Sequence, residues 1–387
     1  MNWQYKILFV DDEPDLKPLV LQRFRREIRK GQYNCVFAEN GVEALDYISK
    51  NIDLDMVVSD INMPEMDGLT LLKKIPDVNH DLRSIIVSAY GDLKNIRKAM
   101  NLGAFDFVVK PIDFEDLRLT IARTLDRLEV WREAQSSKAK FLSISKELEI
   151  ANQMQQSILP SSFPEGDNFK FFGYMKPARN VGGDFYDVID LPENKIAAVV
   201  ADVSDKGVPA SLFMMASRTL LKGCSLSKVD PRVVLEDVNE FLIADNDSNM
   251  FVTLVYGVID TQNGTFTYAN GGHNPPILAK KDGSIDYIKM PRGIALGMFS
   301  GFFFDTNQLQ LEDGDTLILY TDGLTEAQNA DGDLFGEERL LDVVKSSLGE
   351  SDDIFMENII DSVHEFSKGE PQTDDMTFLA FRYFGAG

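Results

Sequence analysis

A chain of 387 residues exceeds the usual size of one domain, and its 44% hydrophobic and 26% charged content is ordinary for a globular protein with sizeable cores. The formal net charge of −23 argues against a nucleic-acid partner, because a phosphate backbone is met by a cationic surface. Cys35 and Cys224 stand alone and far apart, which excludes a disulfide framework or zinc cluster. The start MNWQYKILFVDDE turns acidic where a signal peptide needs apolar length, and no run of ~20 apolar residues follows, so a cytoplasmic chain with no membrane partner is expected.

In chain order, short Val- and Ile-rich runs at 7–10, 35–38, 56–59, 85–88 and 105–109 alternate with helical stretches near 14–30, 41–50, 66–75 and 92–102. Strands alternating with helices predict a doubly wound α/β domain with a parallel sheet. Residues 113 to about 158 hold no Gly or Pro and form a long helix or helix pair. One apolar stripe passes through Ile121, Leu125 and Leu128, another through Phe141, Ile144, Leu148, Ala151 and Ile158. Their steps of three and four suit a coiled-coil-like, dimerising linker. The stripes are one residue out of register, which predicts a register break and a possible hinge at 133–140. Beyond 164, strands near 169–174, 195–201, 251–259, 265–269 and 316–320 mix with helices near 208–221, 232–242 and 353–366. That texture predicts an α+β unit of two packed sheets covered by helices. The expected domains are 1–125, a helical linker at 126–160, and 161–387.

The first unit's runs end in Asp11-Asp12, Asp60, Ser88 and Lys110-Pro111. Strand ends of an open α/β sheet meet at one crevice. Three carboxylates there repel unless a cation neutralises them, and oxygen donors alone suit Mg²⁺. Asp60 would then be the nucleophile toward a phosphoryl group, with the Ser88 hydroxyl and Lys110 ammonium on its oxygens. The stretches LFVDDEP, VVSDINMPEMDG, IIVSAYG and DFVVKPID make residues 5 to about 125 resemble the receiver domain of response regulators. That resemblance implies a sensor histidine kinase as partner and Asp60 as phosphoacceptor. It implies Mg²⁺ on Asp11, Asp12, Asp60 and the Asn62 carbonyl, a cis Lys110–Pro111 bond, and a switch through Ser88 and a rotating Phe107.

The second unit repeats one form, an apolar strand followed by Asp and a small residue or turn: VGGDFYD (Asp184), VADVSDKG (Asp202), YTDGLTE (Asp322) and QTDDMT (Asp374, Asp375). Gathered together, these carboxylates would make an all-oxygen site for two divalent cations, which need no protein nucleophile for phosphoester hydrolysis. Neither cysteine lies in a phosphatase loop, and His80, His273 and His364 are too scattered for a histidine site. With LEIANQMQQSILP, MFVTLVYGVID, YANGGHNPP and RGIALG, residues from about 147 to 383 resemble the metal-dependent protein phosphatase (PPM) family in its sporulation and stress branch.

That resemblance implies two antiparallel sheets flanked by helix pairs and two Mn²⁺ or Mg²⁺ ions. Asp202 would bridge the ions and the Val203 carbonyl would join the first. Asp322 with Asp374 or Asp375 would serve the second, and Asp184 would position bound water or ligand. Asp202 and Asp322 are thus the catalytic pair expected here, and His273 a structural loop residue. The implied substrate is a phosphorylated anti-sigma-factor antagonist. The competing reading is a phosphatase fold kept only as a partner-binding scaffold, which loss of the carboxylates would signal. All are present.

Overall fold

The computed structural model describes residues 4–89, 91–244 and 246–385. The chain separates into two compact units, Met1–Leu142 and Ser143–Gly387. Among the described residues no helix is long and apolar enough to cross a membrane.

The first unit alternates as the apolar runs require: β1 (Tyr5–Val10), α1 (Leu16–Arg23), α2 (Arg25–Arg29), β2 (Tyr33–Ala38), α3 (Gly41–Lys50), β3 (Met56–Asp60), α4 (Gly68–Val78), β4 (Arg83–Ala89), α5 (Leu93–Asn101), β5 (Asp106–Lys110) and the start of α6 (Phe114–Ile158). All the strand pairs are parallel, in the order β2-β1-β3-β4-β5. Every residue of β3 is buried, as expected of a central strand covered on two faces. Helix starts are chemically marked. The Asn40 side chain accepts from Val42 and Glu43 N–H, and Asp67 from Thr70 N–H. Gly68 is forced, since a Cβ there would lie 2.0 Å from the Asp60 carbonyl oxygen. The single helix expected over 14–30 divides at Phe24, whose ring is buried in the sheet core.

α6 runs unbroken through 133–140, so the change of register does not interrupt the helix. Its first stripe, Ile121, Leu125 and Leu128, is buried together with Leu117 in the first unit's core, whereas Phe141 and Ile144 are exposed. The register shift marks where the helix stops packing on the parallel sheet.

The second unit contains β6 (Phe169–Lys176), β7 (Phe185–Leu191), β8 (Lys195–Val203), α7 (Val208–Ser227), α8 (Pro231–Ala244), β9 (Val252–Asp260), β10 (Thr265–Gly271), β11 (Ile277–Ala279), β12 (Ile285–Tyr287), β13 (Thr306–Gln310), β14 (Thr316–Tyr320), α9 (Gly336–Ser346), α10 (Asp352–Phe366) and β15 (Met376–Tyr383). Two antiparallel sheets form, ordered β13-β10-β9-β8-β7 and β12-β11-β14-β15-β6. Alternation along β8 explains the layering. Ile196, Ala198 and Val200 pack toward Leu317, Leu379 and Phe381 of the other sheet. Ala197, Val199 and Ala201 pack with Ala210 and Met214 of α7 and with Val234 and Val238 of α8. α9 and α10 cover the second sheet through Leu340, Val344, Phe355 and Ile359.

Candidate functional site

The parallel register sets the first site. Val10 pairs with Ser59, Asp60 with Val87, and Ala89 with Lys110, so the ends of β1, β3, β4 and β5 are neighbours. Carboxylate oxygens of Asp11, Asp12 and Asp60 lie within 4.8 Å of one another. Lys110 Nζ stands 2.9 Å from Asp60, 3.1 Å from Asp11 and 2.9 Å from Glu13. Burial opposes the Lys110 charge, but hydrogen bonds to these carboxylates outweigh it and hold the ammonium protonated. Burial likewise raises Asp11, against the pull of the Glu13 N–H and Lys110.

Asp60 accepts from its neighbour Ile61 N–H at 2.7 Å as well as from Lys110. The Ser88 hydroxyl is fully buried and has no hydrogen-bond partner among the described residues. An orphaned hydroxyl beside an acidic crevice fits a ligand oxygen as its missing partner. Asn62 lies exposed just past β3, Phe107 is 37% exposed on β5, and the Lys110–Pro111 peptide is cis.

In the second unit β7 and β8 pair with Phe185 opposite Ala201, and β14 and β15 with Tyr320 opposite Phe378. Asp184 and Asp202 thus come from one sheet, Asp322, Asp374 and Asp375 from the other. Oxygens of Asp322, Glu326 and Asp374 lie within 4.8 Å of one another. Asp202 is pushed up to about 7 by burial, then by Asp322, Asp374 and Asp375. Asp322 is pushed up to about 6 by burial, then by Glu326 and Asp374. Asp184 is raised by burial and by Asp202 and Asp375. Mutual repulsion of this kind is what a bound cation relieves. Lys206, 2.8 Å from Asp374, is the only Lys or Arg in an ion pair with these carboxylates among the described residues. A cavity of about 520 Å³ opens here, lined by Asp202, Ser204, Asp205, Thr253, His273 and Asp322 among others.

The two adjacent aspartates differ in their surroundings. Asp375 is buried and accepts from the N–H groups of Ala178 (2.7 Å), Gly183 (2.7 Å) and Asp184 (3.3 Å). It therefore shapes the Val181–Asp184 loop, and a Cβ on Gly182 would meet its Oδ2 at 2.3 Å. Asp374 instead faces Asp322 and Glu326. Buried Thr321 donates to Asp184 Oδ2 at 2.7 Å. The Val203 carbonyl oxygen sits close against Gly183, where a Cβ would lie 2.9 Å from it.

His273 Nε2 is 3.0 Å from the Tyr320 carbonyl and Nδ1 is 2.8 Å from the Thr253 hydroxyl. Since a carbonyl only accepts, Nε2 carries the proton and Nδ1 accepts from Thr253. Burial pulls the ring down to about 4, so it is neutral and its proton is committed.

Glu13, Glu326, Thr321 and Lys206 were not singled out by the sequence. Glu326 was nonetheless visible as the last residue of YTDGLTE, one helical turn after Asp322, with its N–H bonded to the Asp322 carbonyl.

Residues 7–122 match the response regulator receiver domain and residues 192–384 match Stage II sporulation protein E (SpoIIE). The chain belongs to the response regulators. Its C-terminal unit is a phosphatase domain of the SpoIIE type, within the PPM fold. Sporulation initiation phosphotransferase F of Bacillus subtilis is 35% identical over 31% of this response regulator and 93% of its own length. Protein IcfG of Synechocystis is 33% identical over 60% of the chain, which spans only 41% of that relative. Phosphoserine phosphatase RsbU of B. subtilis is 27% identical over 65% of the chain and 74% of its own length. The SiaA-PP2C domain of Pseudomonas aeruginosa shares the fold, with a TM-score of 0.57 at 24% identity over 63% of this chain and 99% of that one.

Proposed function

We propose that this response regulator is a phosphorylation-controlled protein phosphatase that hydrolyses phosphoserine or phosphothreonine on a protein substrate. The observation that carries the reading is the meeting of Asp184, Asp202, Asp322, Glu326 and Asp374 at the adjoining ends of two sheets. The proton affinities of Asp184, Asp202 and Asp322 are raised first by burial and then by the neighbouring carboxylates. Asp202 would bridge two divalent ions, with the Val203 carbonyl on the first and Asp322, Glu326 and Asp374 on the second. Asp374 is preferred to Asp375 because the latter's oxygens are spent on backbone N–H groups. A pair of Mn²⁺ or Mg²⁺ ions supplies charge neutralisation at a phosphoryl group and acidifies a water. Thr321 fixes the Asp184 carboxylate, and His273, neutral with its proton engaged, keeps the loop after β10 in place. Turnover of a phosphoserine peptide by the purified full chain with Mn²⁺ tests the reading. Metal binding without turnover would favour the scaffold alternative.

In the receiver, Asp11, Asp12, Asp60 and the Asn62 carbonyl would hold Mg²⁺, and Asp60 would take the phosphoryl group from a sensor histidine kinase. Lys110 and the Ser88 hydroxyl, unpartnered among the described residues, would then meet the phosphoryl oxygens, with Phe107 following Ser88 as the switch. Activation of the phosphatase is the expected sign. Assaying Asp60→Asn beside the wild type with a small-molecule phosphodonor checks it: a donor response that survives the substitution rejects the control scheme. The substrate class we favour is a phosphorylated anti-sigma-factor antagonist. Exposed Phe141, Leu142, Ile144, Ile150 and Met154 on α6 suit a homodimer through the helical linker.

A further inference from the structure

The last turns of α6 enter the phosphatase core. Leu159 is buried, and Ile158 packs half-buried, in the cluster made with α7, α8 and the first antiparallel sheet. One turn earlier lies Gln155, a polar side chain only 1% exposed. Both ends of its amide are used on one residue: Nε2 donates to the Gly182 carbonyl at 2.6 Å, and Oε1 accepts from the Gly182 N–H at 3.0 Å. Among neutral side chains only an amide offers a donor and an acceptor side by side in this way. The next two N–H groups, of Gly183 and Asp184, are both taken by Asp375. Three successive backbone donors are therefore held from two sides. The close approach of Asp375 to Gly182 leaves the loop no slack.

We propose that Gln155 is a positioning residue for the phosphatase site: through its paired hydrogen bonds to Gly182, the seating of the end of α6 sets where the loop presents Asp184. This rests on the metal-site reading above. A ligand carboxylate keeps its affinity only while the groups behind it hold their geometry. With Gln155 lost, two buried backbone groups are left unpaired, a state the loop escapes by moving. The same helix begins at Phe114, within the first unit.

The test uses the full chain carrying Gln155→Met, which keeps shape but removes both bonds, and Gln155→Ala. Asn152→Ala serves as the control, since its amide reaches the neighbouring Asn180 carbonyl from an exposed position. Amide hydrogen exchange at 181–184 is followed in metal-free protein, and Mn²⁺ affinity by titration. Exchange there is expected to accelerate in both Gln155 variants, with Mn²⁺ binding weakened by about ten- to a hundredfold, and Asn152→Ala to match the wild type. Unchanged exchange in Gln155→Met overturns the clamp. Faster exchange with unchanged Mn²⁺ affinity overturns its link to the metal site. A wild type that binds no Mn²⁺ outside the receiver overturns the proposed function instead, and the clamp is then decided by the exchange alone. If Gln155→Ala fails to fold, Gln155→Met carries the comparison.

Discussion

Two acidic clusters in one chain are balanced in opposite ways. In the receiver, Lys110 touches Asp11, Glu13 and Asp60 at once, so the crevice carries a permanent counter-charge. In the phosphatase unit Lys206 pairs with Asp374 alone of the site's carboxylates among the described residues, and Asp202 and Asp184 are left to repel. A tethered ammonium supplies positive charge before any ion arrives, in keeping with the phosphoacceptor role proposed for Asp60. A cluster without one stays frustrated until it captures cations, which suits hydrolysis by metal-activated water.

The largest expected effect follows from removing Asp202, which faces Asp184 in its own sheet and Asp322 in the other. Asp202→Ala should abolish Mn²⁺-dependent phosphatase turnover while circular dichroism and phosphorylation of Asp60 remain as in the wild type. Next comes pH. A carboxyl group whose affinity is raised in the folded state favours folding while protonated, so its contribution is lost as pH rises from the unfolded value near 4 to the folded one. With Asp202 at about 7 and Asp322 at about 6, metal-free protein should gain thermal stability in the phosphatase unit as pH falls from 7.5 to 6.5, above the range where His273, held near 4, pulls the other way. Saturating Mn²⁺ or Asp202→Asn should flatten that slope in scanning calorimetry.

The receiver should respond to the reverse operation. Lys110→Met removes its built-in counter-charge, and the receiver's melting temperature should fall without Mg²⁺ and partly recover with it. Glu326→Gln should weaken Mn²⁺ binding by roughly tenfold, as expected of a peripheral ligand or ligand partner. The smallest change is expected from His273→Gln, whose proton is already engaged with Tyr320. A slight loss of kcat with an unaltered pH profile is the outcome, and a lost acidic or basic limb would show that the ring moves protons.

Local order was legible where one short segment carries its own pattern. β14 over Thr316–Tyr320 and α3 over Gly41–Lys50 follow from an unbroken apolar run and from a helix capped by Asn40. Carboxylates at strand ends were legible for the same reason at Asp60, Asp202 and Asp322. Asp184 and the Asp374–Asp375 pair, read the same way, stand just before β7 and β15 instead of after a strand. What escaped depends on neighbours far along the chain. β7 begins directly after Asp184, at Phe185 within VGGDFYD, and reads as loop until β8 is paired to it. β15 is buried along most of its length, and its strand character comes from lying between β6 and β14. The unlike roles of Asp374 and Asp375 rest on N–H groups almost 200 residues away, at Ala178 and Gly183. The pairing of Gln155 with Gly182 is likewise invisible in a helix that otherwise reads as polar linker. The shift of register in α6 was real in the side chains, yet it does not interrupt the helix and marks where the apolar stripe leaves the first unit's core.

Equilibrium Mn²⁺ binding tests the contrast most directly, in full-length protein whose receiver site is silenced by Asp11→Asn and Asp12→Asn. Two ions bound per chain, falling to one or none when Asp202→Asn is added, is the predicted result. No binding to the otherwise intact phosphatase unit, or binding indifferent to Asp202, would contradict it.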